Sequence, residues 1–204
     1  VVDVSHVSDK TFWDTIEVVN KPLMASHSSS WEICKHPRNM KDDMLKAVAT
    51  NGGVVCVNFY PGFVGEELRL GNEKLENQMW EEIEDLERIA KRSPSGHFDK
   101  SNAYIKQESK KIRDRYEIVR KDLTLPTLSD VVDHIDHMVK VAGIDHVGLG
   151  SDFDGIPEGP VGLEDCTKFP SITEELMRRG YADGDIQKIL GLNTMRVMEA
   201  NIGK

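Results

Sequence analysis

The stretch Pro22-Leu23-Met24-Ala25-Ser26-His27-Ser28-Ser29-Ser30 constrains this chain most. A short apolar run ends in a histidine, and small hydroxyl residues follow. Such a run reads as a strand buried on both faces, as in a parallel sheet, with its last residue turned toward a polar cavity. The arrangement recurs upstream, where Val1-Val2-Asp3-Val4-Ser5 runs into His6. It recurs downstream, where His146-Val147-Gly148-Leu149-Gly150-Ser151 runs into Asp152-Phe153-Asp154-Gly155. Three predicted strands therefore end in groups that bind metals or move protons. In a parallel barrel every strand C-terminus lies on one face, and that face carries the chemistry. The pattern predicts part of such a barrel with a metal site of hydrolase type on that face.

The segments between these runs fit the same plan. A strand over 1–6, a helix over 11–20 with Phe12, Ile16 and Val19 on one face, and a strand over 23–27 form one strand-helix-strand unit. An irregular loop over 28–39 follows, then a helix over 41–50 with Met44, Leu45 and Val48 inward. Asn51-Gly52-Gly53 stops that helix before a third strand over 54–59, apolar until Asn58. Pro61-Gly62-Phe63 turns the chain out of the sheet. Thr127 caps a helix over 128–142 with Val131, Val132, Ile135, Met138 and Val139 inward, and a fourth strand covers 147–149. A Gly/Pro-rich loop over 153–170 leads to helices over 171–179 and 185–200. Four strands alternating with helices are an α/β fold, the C-terminal half of a (β/α)8 TIM-type barrel; four strands do not close one.

Residues 66–122 differ in kind, being rich in Glu, Lys, Arg and Gln. Trp80, Ile83, Leu86 and Ile89 recur at helical spacing, and Ser93-Pro94-Ser95-Gly96 divides the segment into two helices, the second over 102–120. It reads as a helical charged insertion within a single domain over 1–204, its charges forming a solvated face. A lid or a partner-docking role is the sharper alternative.

Composition narrows the function classes. Lys and Arg number 26 against 35 Asp and Glu, a formal net charge of -9. That excludes a general nucleic-acid binder, because phosphate neutralisation needs a positive surface. Aromatic residues at 6% disfavour a base-stacking platform. No run of about 18 apolar residues exists to span a membrane. No basic region followed by an apolar stretch opens the chain, which argues against a signal peptide. These features predict a soluble protein and leave cytoplasmic and periplasmic or extracellular locations equally open. The chain opens inside a strand without an initiator Met, so a mature fragment, a cleaved chain or the ordered part of a longer one is expected. Cys34, Cys56 and Cys166 lie far apart with no CxxC pair, which predicts unpaired thiols rather than a zinc finger or disulfide framework. Phosphate loop, GxSxG elbow and HExxH are all missing, which removes the kinase, serine-hydrolase and thermolysin-like readings.

Four residues carry the chemistry. His6 and His27 end successive strands, where a neutral imidazole is a good zinc ligand; the plainer role is a hydrogen bond to backbone. Asp152 follows Gly148-Leu149-Gly150-Ser151, where backbone approaches a ligand closely. It suits a metal ligand or a general acid/base, or else an Asx-capped turn. Arg38 suits a clamp for a substrate carboxylate, or else the open surface. His134 and His137 lie one helical turn apart, at a spacing that fits a metal but fits the polar side of a barrel helix better. His36 and His97 have no context that raises them.

Taken together, several stretches resemble the membrane (renal) dipeptidase family. They are Val4-Ser5-His6-Val7-Ser8, Ser26-His27-Ser28-Ser29, Arg38-Asn39, Val57-Asn58-Phe59-Tyr60, Asp133-His134-Ile135-Asp136-His137, Gly150-Ser151-Asp152-Phe153-Asp154-Gly155 and Gly162-Leu163-Glu164-Asp165. The resemblance runs from Val1 to about Glu199 outside the 66–122 segment, which is longer than in mammalian members and resembles microbial ones. It implies a (β/α)8 barrel that carries two Zn2+ ions and cleaves dipeptides; some members also open β-lactam rings or accept a C-terminal D-residue. By resemblance, His6 and His27 match the histidines on one of the two zincs, Arg38 the arginine on the substrate's terminal carboxylate, and Asp152 the catalytic aspartate. The implied reaction is attack by a hydroxide between the zincs, with Asp152 passing the proton to the departing amine.

The resemblance also carries departures. The family's His-x-Asp motif and metal-bridging glutamate lie upstream of Val1, so an upstream half of the barrel is expected to complete the site. Some members have tyrosine where Phe63 falls, leaving Tyr60 as the nearest phenol here. Members are often dimers, so a homodimer is expected. The competing readings are another amidohydrolase-type enzyme, such as a deaminase or lactonase, and a truncated non-catalytic barrel acting as a binding partner.

Overall fold

The computed structural model describes residues 1–91 and 98–203; His97 and the Ser93–Gly96 break lie outside the described residues. Caps and glycine stops set the element ends. Ser8 opens α1 (Asp9–Val18), its hydroxyl accepting from the Thr11 amide at 3.2 Å. β1 (Met24–Ala25) is followed by α2 (Asp42–Asn51), which ends where Gly52 takes the left-handed φ of 80°. β2 (Val54–Asn58) is buried throughout. α3 (Pro61–Val64) starts on a proline, a residue suited to the first helical position, so the expected turn is a short helix. α4 (Glu66–Lys91), α5 (Phe98–Arg120) and α6 (Leu128–Ala142) lead to β3 (Val147–Ser151). α7 (Phe169–Arg178), α8 (Asp183–Gln187) and α9 (Asn193–Ile202) complete the chain. The single helix expected over 185–200 is broken, because Gly191 leaves helical geometry between α8 and α9.

The strands form one parallel sheet in the order β1-β2-β3. The strand expected over 1–6 reduces to a single parallel bridge between Asp3 and Met24. Val4 N–H donates to Met24 O and Met24 N–H to Val2 O, both at 2.9 Å. The ladder stops there because Asp3 turns its own carboxylate onto the Ser5 and Ser26 amides, at 3.1 and 3.0 Å. The fold is α/β, mostly helical, around this small parallel sheet.

Val55 and Val57 pack with Leu45 and Val48 of α2 and Val131 and Ile135 of α6 in the main core. Val54 and Cys56 meet Val197 of α9 and Met24 on the other face. α9 also caps the strand starts. Arg196 donates to the carbonyls of Gly52 and Asp145 at 2.6 and 2.7 Å, Asn193 to Val147 O at 2.8 Å, and Asn201 to Pro22 O at 2.8 Å. Those carbonyls lie at the N-terminal ends of β1, β2 and β3, so α9 satisfies one end of the sheet and leaves the C-terminal ends for chemistry.

Residues Val1–Glu66 and Leu125–Lys204 form one compact unit, and Glu67–Thr124 a second. In the second, α4 and α5 run antiparallel. Trp80 faces Arg113 at 5.6 Å, Glu82 pairs with Arg115, and Arg120 Nε donates to Asn72 Oδ1 at 3.1 Å. Ile83 and Ile112 are buried within it.

His134 is not on a polar outer face. It is fully buried, with Nδ1 accepting from Ser30 N–H at 2.9 Å and Nε2 donating to Val64 O at 3.0 Å. It therefore ties α6 to the loops after β1 and β2. His137 instead bonds Asp42 Oδ1 of α2 at 2.7 Å, so the two rings serve separate partners. Burial pushes the His134 pKa down to about 4. An unfolded histidine titrates near ~6.5. Between these values the unfolded chain takes up a proton that the folded chain refuses. The His134 contribution to stability is complete above pH ~6.5 and is lost as pH falls toward 4, by about 3 kcal/mol in all. Urea unfolding across that window is expected to show this loss, and His134→Asn to flatten it; an equal slope in the variant would remove His134 as its source.

Candidate active site

The four candidate residues lie in the first unit, at or just beyond the C-terminal ends of its strands. His6 and His27 converge there. Their Nε2 atoms are 2.7 Å apart, and their rings are tilted by 60° with centroids 4.8 Å apart. The backbone of His27 is held by the Ser5 hydroxyl, which accepts its N–H at 2.9 Å.

A chain of hydrogen bonds fixes the His27 ring. Ser26 Oγ lies 2.5 Å from Asp3 Oδ2 and 2.7 Å from His27 Nδ1. An ionised carboxylate only accepts, so the serine proton goes to Asp3 and Ser26 Oγ receives the Nδ1 proton of His27. His27 Nε2 is then the acceptor toward His6 Nε2, 2.7 Å away, and it is this lone pair that a metal would take in place of the hydrogen bond. Burial raises the Asp3 pKa, but hydrogen bonds from Ser26 and Ser5 outweigh it and hold the carboxyl below its ordinary value. Burial lowers the His27 pKa; Asp152 acts against this, and Arg38 with it.

Two imidazoles converge on one point, and one has its second nitrogen braced by a hydroxyl and, through it, a carboxylate. That donor set suits a zinc-type metal ion. Among the described residues, no group of three or more His, Cys, Asp or Glu converges, so this stretch offers two ligands rather than a closed site.

β3 reaches the histidines only because Gly150 lacks a side chain. A Cβ there would fall on Ser26 O and against the His27 Cα. Beyond β3, Ser151 and Asp152 take φ of 36° and 72°, a left-handed region that side chains disfavour. Gly155 N–H closes the turn onto Asp152 O at 2.9 Å, and Phe59 N–H binds Ser151 O at 3.1 Å. Phe153 packs on Phe59 and Phe169, with centroids 5.7 and 5.9 Å away. The Asp152 carboxylate takes the Asn58 amide, Nδ2 to Oδ2 at 3.0 Å. Asp154 is exposed and outside this arrangement.

Arg38 sits on the 28–39 loop. Its Nε donates to Ser5 O at 3.0 Å, and its guanidinium stands 5.4 Å from the centre of the Phe63 ring. Its Nη2 is buried without a hydrogen-bond partner among the described residues. Burial lowers the Arg38 pKa, against the pull of Asp152 and Asp3. A buried donor without a partner costs about 1–3 kcal/mol, more when charged, which makes this nitrogen a receptor for an incoming anion. Asn39 holds the loop, donating to Cys34 O and Phe63 O at 2.8 and 2.7 Å. Tyr60 lies edge-on to Phe63 with centroids 4.8 Å apart.

Asp3, Ser26 and Asn58 escaped the sequence reading as working residues. Asn58 left a signal: one amide ends an otherwise apolar, buried run. Asp3 left a weaker one, an acid among β-branched residues at a sheet edge. His36, raised by no sequence context, accepts the Arg38 N–H on Nδ1 at 3.1 Å.

Histidines, a braced carboxylate and an unpaired guanidinium gathered on the C-terminal ends of a parallel sheet define an α/β protein with a strand-end site. The chain belongs to the membrane dipeptidase family, peptidase family M19, whose model matches residues 1–202. It is 37% identical over 198 residues to an uncharacterized dipeptidase, C965.12, of Schizosaccharomyces pombe, covering 97% of this chain and 35% of that protein. It is 34% identical over 199 residues to dipeptidase ataJ of Aspergillus terreus, covering 98% and 35%. Among solved structures, the probable dipeptidase PvdM of Pseudomonas aeruginosa superimposes with a TM-score of 0.72 at 26% identity, over 98% of this chain and 50% of that one. The chain thus spans about a third of the length of these curated relatives.

Gly150→Ala must push β3 away from the His27 backbone. It is expected to lower stability by ~1–3 kcal/mol and to shift the His27 resonances in NMR spectra. A urea midpoint equal to the wild type would mean that β3 has room for a methyl.

Proposed function

We propose that this stretch is the C-terminal half of a TIM-type barrel and supplies half of a two-zinc site that hydrolyses dipeptides, the remaining ligands coming from outside it. His6 and His27 would hold one zinc, which when bound would supply Lewis acidity for the scissile carbonyl and a nucleophile at neutral pH. Arg38 binds the free carboxylate of the dipeptide through Nη2, with Nε already committed to Ser5 O. Asp152 takes a proton from the attacking water as its oxygen bonds to the scissile carbon, and gives that proton to the amine as the C–N bond breaks. Arg38 anchors one end of a short substrate while the histidines and Asp152 face its peptide bond, so length selection follows from one fixed cation.

The observation that carries this reading is the buried, unpartnered Nη2 of Arg38 in the unit that also brings His6 and His27 together. A lactone or a nucleobase has no free carboxylate to offer it, which favours a dipeptide over deaminase or lactonase chemistry. The dipeptidase names of the relatives and the metallopeptidase character of the family agree with it. In this reading 66–122 is a helical excursion from one domain, and the working assembly is a homodimer. No helix among the described residues is long and apolar enough to cross a membrane.

Three measurements test the assignment. Zinc should be found in natively purified protein by elemental analysis. Ser26→Ala, which removes the brace on His27, should weaken zinc binding by about 10-fold or more in competition with a chelator. Arg38→Ala should raise KM for a dipeptide ~10–100-fold while changing KM for the corresponding dipeptide amide little, as loss of a charged hydrogen bond predicts. Equal effects on acid and amide would overturn the carboxylate role and the dipeptide specificity with it.

A further inference from the structure

Asn58 is fully buried at the end of β2, and its carboxamide has one orientation open to it. Its Oδ1 accepts the Tyr60 N–H at 2.5 Å, so only the NH2 group can face Asp152, where it donates to Oδ2 at 3.0 Å. The Asn58 backbone is clamped as well. Ser29 Oγ accepts Asn58 N–H at 3.2 Å and donates to Asn58 O at 3.1 Å, and Ser29 is two residues from His27. A register shift between Val57 and Asn58 sets Asn58 opposite Ser151. The residue that bears the amide is thus matched to the one preceding the carboxylate.

Asp152 needs such a restraint. Its backbone φ of 72° persists only where the surroundings over-determine it. Gly155 holds the backbone through its N–H to Asp152 O, and a Cβ at Gly155 would run into Asp152 Oδ1. One carboxylate oxygen is therefore occupied by an amide, and the other lies beside Gly155, where a side chain would displace it.

We infer that Asn58 is a positioning residue for Asp152: it occupies Oδ2 and so commits Oδ1 to proton transfer. The inference rests on the dipeptidase reading for its catalytic consequence, but its hydrogen bond can be read without turnover. A purely structural Asn58 would be needed only as an acceptor for Tyr60 N–H. Asn58→Asp keeps that acceptor and the shape while replacing the donor with an anion; Asn58→Leu removes both.

A positioning role predicts that Asn58→Asp lowers kcat on a dipeptide about 100-fold with KM within about threefold, the size of effect a misplaced catalytic group produces. A structural role predicts near wild-type kcat for Asn58→Asp and a loss of Tm for Asn58→Leu, and that result would overturn the inference. The second measurement is hydrogen exchange of the Asn58 side-chain amide in 15N-labelled protein. Exchange should be slow in the wild type and at least about tenfold faster in Asp152→Gly, a substitution that tolerates the left-handed backbone. Equal exchange in the two proteins would overturn the inference whether or not Asn58→Asp folds. With the remaining barrel half and zinc supplied, an inactive wild type with protected Asn58 would reject the dipeptidase reading and leave the positioning contact standing.

Discussion

The Asp3 carboxylate is the contact on which the ends of the first two strand segments depend. It accepts the backbone amides of Ser5 and Ser26 on Oδ1 and the Ser26 hydroxyl on Oδ2. Hydrogen bonds to an ionised acceptor are roughly twice as strong as neutral ones. Three of them join the residue before His6 to the residue before His27. The separation of the two imidazoles is then set by a carboxylate neither of them touches. The same contact ends the regular ladder, because amides taken by a side chain do not pair with a neighbouring strand. Secondary structure is short here because the site uses its donors.

Polar groups brace the rest of the strand-end face in the same way. His134 accepts from Ser30 and donates to Val64, so a neutral ring on α6 pins the loops after β1 and β2 together. Ser29 and Asn39 bond the 28–39 loop to β2 and to Phe63. These groups are buried, and each satisfied one would cost free energy if its partner were lost. The opposite end of the sheet is closed more simply, by α9 side chains donating to carbonyls at the strand starts. One end is fastened by long side chains to backbone, and the other by a polar network that leaves selected atoms unused.

Much of this was legible in the sequence because it is periodic or punctuated. α2 and α6 fall within a residue of their expected limits, each marked by a glycine stop and an apolar stripe. His6, His27 and Asp152 stood out as polar residues ending apolar runs or following them, while Arg38 was singled out in an irregular loop as a cation that could clamp a carboxylate. What was not legible depends on contacts between distant segments. The reduction of 1–6 to one bridge follows from where the Asp3 side chain goes, which no local pattern encodes. His134 looked like an outer-face residue because helical spacing alone does not say which neighbour covers it. The break at Gly191 was hidden inside a pattern that otherwise continues as helix.

Arg38 and Asp152 attract each other electrostatically, yet neither is bonded to the other. A direct ion pair would neutralise both groups and tie up their hydrogen-bonding atoms. The fold prevents this by giving each a neutral partner. Arg38 Nε is taken by Ser5 O and its plane by Phe63; Asp152 Oδ2 is taken by the Asn58 amide and its backbone by the turn to Gly155. Left-handed geometry at Ser151 and Asp152 is part of that separation, a strain of the order of 1–3 kcal/mol per residue held in place by the surrounding contacts. Holding opposite charges apart without a direct contact is unfavourable by itself, so the neutral partners on each side have to offset it. Preorganisation of this kind, in which the cost is met on folding rather than at the moment of reaction, is what a strand-end site on a rigid sheet provides.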